Sequence, residues 1–434
     1  MPNFMEQALD YAQSNAPVWL QPTVSEGRQL WEKQALPTRK TEAWKYTGVH
    51  NLRQPYAVGE STAVALKDLS LSLPDLDAHR VVFINGHYRA ELSSDELPQG
   101  VELVRFAQAT AEQSAEIAKY LGTIVSKHDH VFASLNDASL TDGVFLSVAP
   151  GIVVDKPIQL VWITASQTAA FTTTQRLLVL AGANSSATVI EHFAGVRGEQ
   201  AAFTNGMTEL LVQAGATLEH YRLHLEEGAA MHVGGVHARL LANATLNSFH
   251  LALGSVLKRI DVVVDFQGAG AHCELNGVYL PRGEEHIDYH TCLEHAVPHC
   301  TSSETFRGIV GDSASAVFNG RIHIHRDAQK TRAELSNKNL LTSTRAEVNT
   351  KPELEIYADD VLCAHGATVA QLDETALHYL RTRGVSKAEA EVMLNFGFIN
   401  EVVDGVRLDT LRAYLRPLLA LRFSRDPQLA RHLA

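Results

Sequence analysis

Between residues 141 and 365 the chain repeats one short cue at a nearly constant interval. Ala187-Thr188, Ala216-Thr217, Ala244-Thr245 and Ala271-His272 each precede a strand-like run, and the spacings are 29, 28 and 27 residues. Helix signals nearly vanish there, and short β-branched runs alternate with Gly, Asn and Ser. A repeat of this length, made of strand and turn alone, must stack on its neighbours to bury its apolar face. A parallel β-helix is the simplest object that does so. A β-sandwich also supplies many short strands but has no reason to space one cue evenly, so it ranks second. The runs DVVVDF (261–266) and GRIHIH (320–325) extend the series, and alternate residues such as Val262 and Val264 are expected to point inward.

The flanks read differently. Residues 1–140 form an α+β region: NFMEQALDYAQS and TVSEGRQLWEKQAL carry apolar residues at helical spacing, the second stopping by Pro37. HRVVFINGHYRAEL reads as two strands around Asn85-Gly86, a dipeptide suited to a tight hairpin, and ATAEQSAEIAKYLGTIV reads as helix. Residues 366–434 are helical. DETALHYLRTRG closes on Gly384, Ser386 and Glu389 have capping-box spacing, and LDTLRAYLRPLLALRF is expected to kink or break at Pro417. An open solenoid end needs covering, and these helices are the expected cover.

With 434 residues and a formal charge of −12, the chain offers no attraction to phosphate backbones or anionic lipid, so nucleic acid and membranes are not expected partners. No apolar run reaches bilayer length and the start carries acidic residues, so a cytoplasmic location is expected. The four cysteines, Cys273, Cys292, Cys300 and Cys363, contain no CxxC pair and are expected as reduced thiols. No phosphate loop, GxSxG elbow, HExxH helix or strand-linked GxGxxG is present, which leaves nucleotide hydrolysis and hydride transfer without local support.

Metal-binding side chains are more plentiful. In EIYADDVLCAHGATVAQLD (355–373), Cys363 and His365 fall on one face if the segment is a strand, so they can share an ion, with a structural role for Cys363 as a small buried hydrophobe the competing explanation. Two donors are too few for a tetrahedral site, and other strands or another protein must complete it. HIDYHTCLEHAVPHC holds His286, His290, Cys292, His295, His299 and Cys300, and RIHIHRD puts His323 and His325 on one face. For both stretches, histidines hydrogen-bonded along a solenoid wall are the competing explanation to metal ligation.

The run from His299 to Gly384, with NGRIHIHRDAQKT, SNKNLL, KPELEIYADDV, CAHGATV and YLRTRG, resembles the SufB/SufD family of iron-sulfur cluster assembly proteins, and within it the SufD branch. KTEAWKYT (40–47) is similar to that family's N-terminal signature, and TDGVFLSVAPGIVVDKPI (141–158) to the segment leading into its core. The resemblance implies a right-handed parallel β-helix flanked by helical regions, and a non-catalytic scaffold that pairs with SufB through the β-helix. It also implies that the C-terminal region carries a subunit of the ATPase SufC. It places His365, with Cys363 as a second contributor, at a transient iron-sulfur cluster shared with SufB, and no resident cofactor in the isolated chain. Whether a flavin joins the complex is left open by the sequence, and an isolated chain is a candidate to pair with itself. A β-helix enzyme acting on polysaccharide and a self-contained metal-binding protein are the competing functions.

Overall fold

A computed structural model describes residues 3–59, 76–94, 96–126, 130–165, 167, 169–195 and 200–424. Helices α1 (Asn3–Asn15) and α2 (Gln21–Lys33) open the chain, followed by β1 (Ala57–Val58), β2 (His79–Ile84), β3 (His87–Tyr88) and β4 (Val101–Arg105). Helices α3 (Ala111–Ile117) and α4 (Val131–Ala138) precede β5 (Val144–Val148), β6 (Ile158–Thr164), β7 (Phe171–Ala181) and β8 (Ser186–Gly195). The coils continue through β9 (Ala202–Val212), β10 (Thr217–His224), β11 (Ala230–Leu240), β12 (Thr245–Leu253), β13 (Leu257–Phe266) and β14 (His272–Leu280). They end with β15 (His286–His295), β16 (Thr301–Val310), β17 (Ser315–Ile324), β18 (Arg332–Leu341), β19 (Glu347–Ile356) and β20 (Leu362–Gln371). Helices α5 (Glu374–Thr382), α6 (Lys387–Asp404) and α7 (Asp409–Ser424) close the chain.

From β5 onward each strand pairs in parallel with the strand two places later, so odd strands build one sheet and even strands the other. The chain therefore winds as the parallel β-helix its repeat predicts. Strands from the N-terminal region join in: β4 pairs antiparallel with β5, and β2 in parallel with β6. The β2–β3 hairpin turns at Asn85 and Gly86, both with positive φ.

The repeat has a physical cause at one corner of the coil. Asn184, Gly215, Asn243, Gly270, His299 and Lys330 hold the left-handed conformation there, which only Gly adopts without steric cost and which Asn tolerates. Immediately after them come Ser185, Ala216, Ala244, Ala271, Cys300 and Thr331, all small and buried, stacked one coil on the next. Ala187 is out of step with this ladder. It pairs with Leu218, so Ser185 occupies the corner and the first cue lies two residues late; the later intervals follow the true register.

The main core lies between the sheets and includes Val262 and Val264, as expected. The outer face of the odd sheet is covered by the N-terminal helices, where Phe4, Trp31 and Phe132 meet Phe203 and Met231. Gly27 permits the close approach of α2 to α4, because a Cβ there would sit 2.6 Å from the Ala138 nitrogen. The C-terminal helices pack on the outer face of the even sheet, with Ile399, Val403, Leu411 and Leu415 against Tyr221, Leu251 and Val278. They sit on the flank and leave the last coil open, which corrects the expected end cover. The capping box at Ser386 and Glu389 is present, Gly384 has a φ of 89°, and α7 runs through Pro417 as one helix instead of breaking.

The space between the sheets also holds polar groups. Glu191 pairs with Arg222 and with His220 at 3.0 Å, and Lys258 lies 3.7 Å from Glu226. Burial pushes His192 and His295 down to about 4, and His224, His237 and His250 well below the ordinary imidazole range. An unfolded imidazole takes up its proton near about pH 6.5, so between roughly 6.5 and 4 the unfolded chain binds more protons and stability falls as pH falls. Glu304, pushed up to about 8 by burial, acts in the opposite sense, but it is one group against five histidines. Thermal unfolding followed by circular dichroism is expected to show a lower midpoint at about pH 5.5 than at about pH 7.5. A midpoint that held or rose on acidification would mean that these imidazoles are charged in the fold.

Candidate functional site

The last coil ends on β19 and β20, each the terminal strand of its sheet. Cys363 stacks in register on Ala333, Ser302 and Cys273, and His365 on Leu335, Glu304 and Leu275. Those partners are buried between the sheets, so Cys363 and His365 belong to inward-facing columns. Among the described residues no further coil lies beyond them. Cys363 is consequently half-buried, packed on the core edge, and His365 is exposed. Partial burial raises the Cys363 thiol above its ordinary range.

The backbone of β20 is also half-used. Leu362 donates its N–H to the Thr331 carbonyl at 2.9 Å, toward β18. In a parallel ladder the alternate residues Cys363, His365, Ala367 and Val369 then turn their N–H and C=O groups to the free edge. Ile356, Tyr357, Leu362 and Val369 are exposed large apolar side chains on these same terminal strands or just beyond them. Free polar backbone and an apolar rim together make an edge suited to pairing.

The other sequence candidates separate into distinct roles. His286 is held by Thr47 at 2.9 Å and Ser315 at 2.6 Å, and His290 by Asp288 at 3.1 Å. His295 is buried against Ser302 at 2.9 Å and stacks on Phe266, while His299 is a left-handed corner residue. Cys273 and Cys300 are core and corner positions; burial raises both thiols. Burial likewise pushes Cys292 up to about 12, and its thiol donates to Glu294 at 3.1 Å. His323 and His325 do meet, and both reach Glu294, a third member that sequence spacing did not single out. Its register partner across β15 and β17 is His323, which only the strand pairing reveals.

The KTEAWKYT segment serves as a strap across the odd sheet. Arg259 lies over the Trp44 ring at 4.6 Å, donates to the Ala43 carbonyl at 2.7 Å, and pairs with Asp288 at 2.8 Å. Thr47 donates to the same carboxylate, which the Arg259 guanidinium, with His290 and His286 beside it, holds well below the usual range despite its burial.

A stacked parallel coil with an open final turn, bearing a thiol and an imidazole on its inward columns, defines a β-solenoid protein. The sequence comparisons agree with the architecture. Residues 162–398 match the family described as SUF system FeS cluster assembly, SufBD core domain, and residues 3–160 match the SufBD protein N-terminal region. The chain belongs to the SufBD family. It is 31% identical to the iron-sulfur cluster assembly protein SufD of Escherichia coli, over 90% of each chain. It is 28% identical to an iron-sulfur cluster assembly SufBD family protein of Synechocystis sp., over 89% of this chain and 87% of that one. To the iron-sulfur cluster assembly protein SufD of Bacillus subtilis it is 28% identical, over 75% and 74%. No helix among the described residues is long and apolar enough to cross a membrane.

Proposed function

We propose that this chain is a SufD-type scaffold subunit of a cytoplasmic SufB–SufC–SufD complex, pairing with SufB through the open edge of β19 and β20. The observation that carries this reading is the unfinished last coil. A nascent iron-sulfur cluster is the cargo of the junction, with Cys363 and His365 as this chain's donors and SufB supplying the rest. A thiolate and an imidazole both suit iron, and Cys363 must lose its proton to ligate. Two donors per side meet the usual demand for four without hidden ligands.

The C-terminal helices are the dock for the ATPase SufC. Helix α5 buries none of its residues, and Tyr379 and Met393 stand exposed on α5 and α6. In the absence of SufB the same β20 edge admits a second copy of this chain. A polysaccharide-cleaving activity finds less support. A general acid needs a carboxyl poised near neutrality. Among the described residues, the carboxyl raised toward that range is Glu304, and it is buried between the sheets.

Co-purification with SufB and SufC, followed by iron and sulfide analysis, tests the proposal. His365→Ala is expected to leave complex formation intact and to lower cluster content by about tenfold or more. Normal cluster content in that variant would remove His365 from the site, and failure of the wild-type chain to join SufB would remove the junction.

A further inference from the structure

We propose that Glu294, His323 and His325 form a binding site for one first-row divalent metal ion, of the zinc(II) or iron(II) class, on the outer face of the odd sheet. The residues come together through strand register: Glu294 on β15 pairs with His323 on β17, and His325 follows the end of that strand. Both imidazoles aim at one carboxylate oxygen. His323 Nδ1 lies 2.6 Å and His325 Nε2 lies 3.2 Å from Glu294 Oε2. The three donor atoms all lie within 4.8 Å of one another. Bonds of about 2.0–2.1 Å in a tetrahedral site place neighbouring donors ~3.3 Å apart. The His325 contact already has that length, and the His323 contact needs to open by less than about 1 Å.

The donor set and its surroundings favour a dication. Two imidazoles and a carboxylate suit zinc or iron and disfavour magnesium, leaving a fourth position for water. Arg321 donates to the other oxygen, Oε1, as does Cys292 at 3.1 Å, so the carboxylate is oriented with Oε2 toward the imidazoles. Arg321 also lies 3.3 Å from Glu355, so two carboxylates surround its single positive charge. Glu294 and His325 line a cleft of ≈ 930 Å³, which gives an ion a route in. A second cluster, His224, Glu226 and His232, is fully buried beside Lys258 and already has its cation.

This site lies on the opposite sheet from Cys363 and His365, and its test does not depend on the junction. It departs from the expectation that the isolated chain holds no tightly bound metal. The full-length chain, stripped with a chelator, is titrated with zinc chloride, with ferrous iron under anaerobic conditions, and with magnesium as control, by calorimetry and by dialysis with elemental analysis. Zinc, iron or both are expected to bind, and His323→Ala with His325→Ala is expected to lose one equivalent, its affinity falling about tenfold or more. Glu294→Gln, nearly isosteric, is expected to weaken the same equivalent, and Cys363→Ala with His365→Ala to leave it unchanged. Circular dichroism confirms that each variant is folded. Equal stoichiometry and affinity in the wild type and either site variant would overturn the proposal, as would the absence of any zinc or iron equivalent in the wild type.

Discussion

Arg176→Met is expected to destabilise the chain by about 3–5 kcal/mol, the cost of leaving buried charge without its partner. Arg176 projects from the outer face of β7 and is fully covered by α4. Its guanidinium donates to Asn136 and Asp137 of α4, each at 2.9 Å, and to Glu209 of β9 at 2.6 Å. Asp137 and Glu209 are themselves 1% and 0% exposed, so neither carboxylate can turn to water when the cation goes. Glu209 also accepts the backbone N–H groups of Gly122 and Ile124, at 2.9 and 3.2 Å. The loss therefore spreads from the solenoid wall to the segment that covers it. Arg176→Lys is expected to rescue little, because one ammonium cannot reproduce a fork that reaches two elements. Urea unfolding measures the change; a loss below about 1 kcal/mol would mean that water reaches the site after the substitution.

Ala367→Pro is expected to weaken association with SufB by about 100-fold while leaving this chain folded, the ring and lost donor at a paired strand costing about 3 kcal/mol. The separation of the two effects follows from the ladder. Leu362 bonds back to Thr331, and the Thr368 carbonyl accepts from Asn339 at 3.3 Å, so even-numbered residues of β20 face β18. Ala367 turns its N–H outward and loses no intrachain bond on becoming proline. Ala367→Ser keeps the N–H and serves as the control. Sedimentation of mixtures with SufB reads the outcome: wild-type affinity in the proline variant would show that β20 is not an assembly edge.

The sequence makes the coil legible because a solenoid imposes its period on every turn. Asn or Gly followed by a small residue recurs at four successive passes of the same corner, with His299 and Lys330 taking that place in the next two, and Ala216, Ala244 and Ala271 mark it correctly. Ala187 misleads because an alanine two residues past the corner is equally acceptable inside the core, so composition alone does not fix register there. The flanking helices are visible from their caps, yet their destination is not. Ile399 and Val403 form an apolar stripe that fits a flank as well as an end, and the flank offered by Tyr221, Leu251 and Val278 appears only once the coils are stacked. Cys363 and His365 are found by strand parity. That their columns run out at the last turn is a property of the whole stack, as is the meeting of Glu294 with His323 across two strands.

Backbone hydrogen exchange along β20 tests the unfinished coil most directly. In the isolated monomer the amides of His365, Ala367 and Val369 are expected to exchange rapidly, while those of Ala364, Gly366 and Thr368, bonded to β18, are protected. On binding SufB the first set is expected to become as slow as the second. Rapid exchange of His365, Ala367 and Val369 in the intact complex would contradict the claim that this edge is where the second chain continues the solenoid.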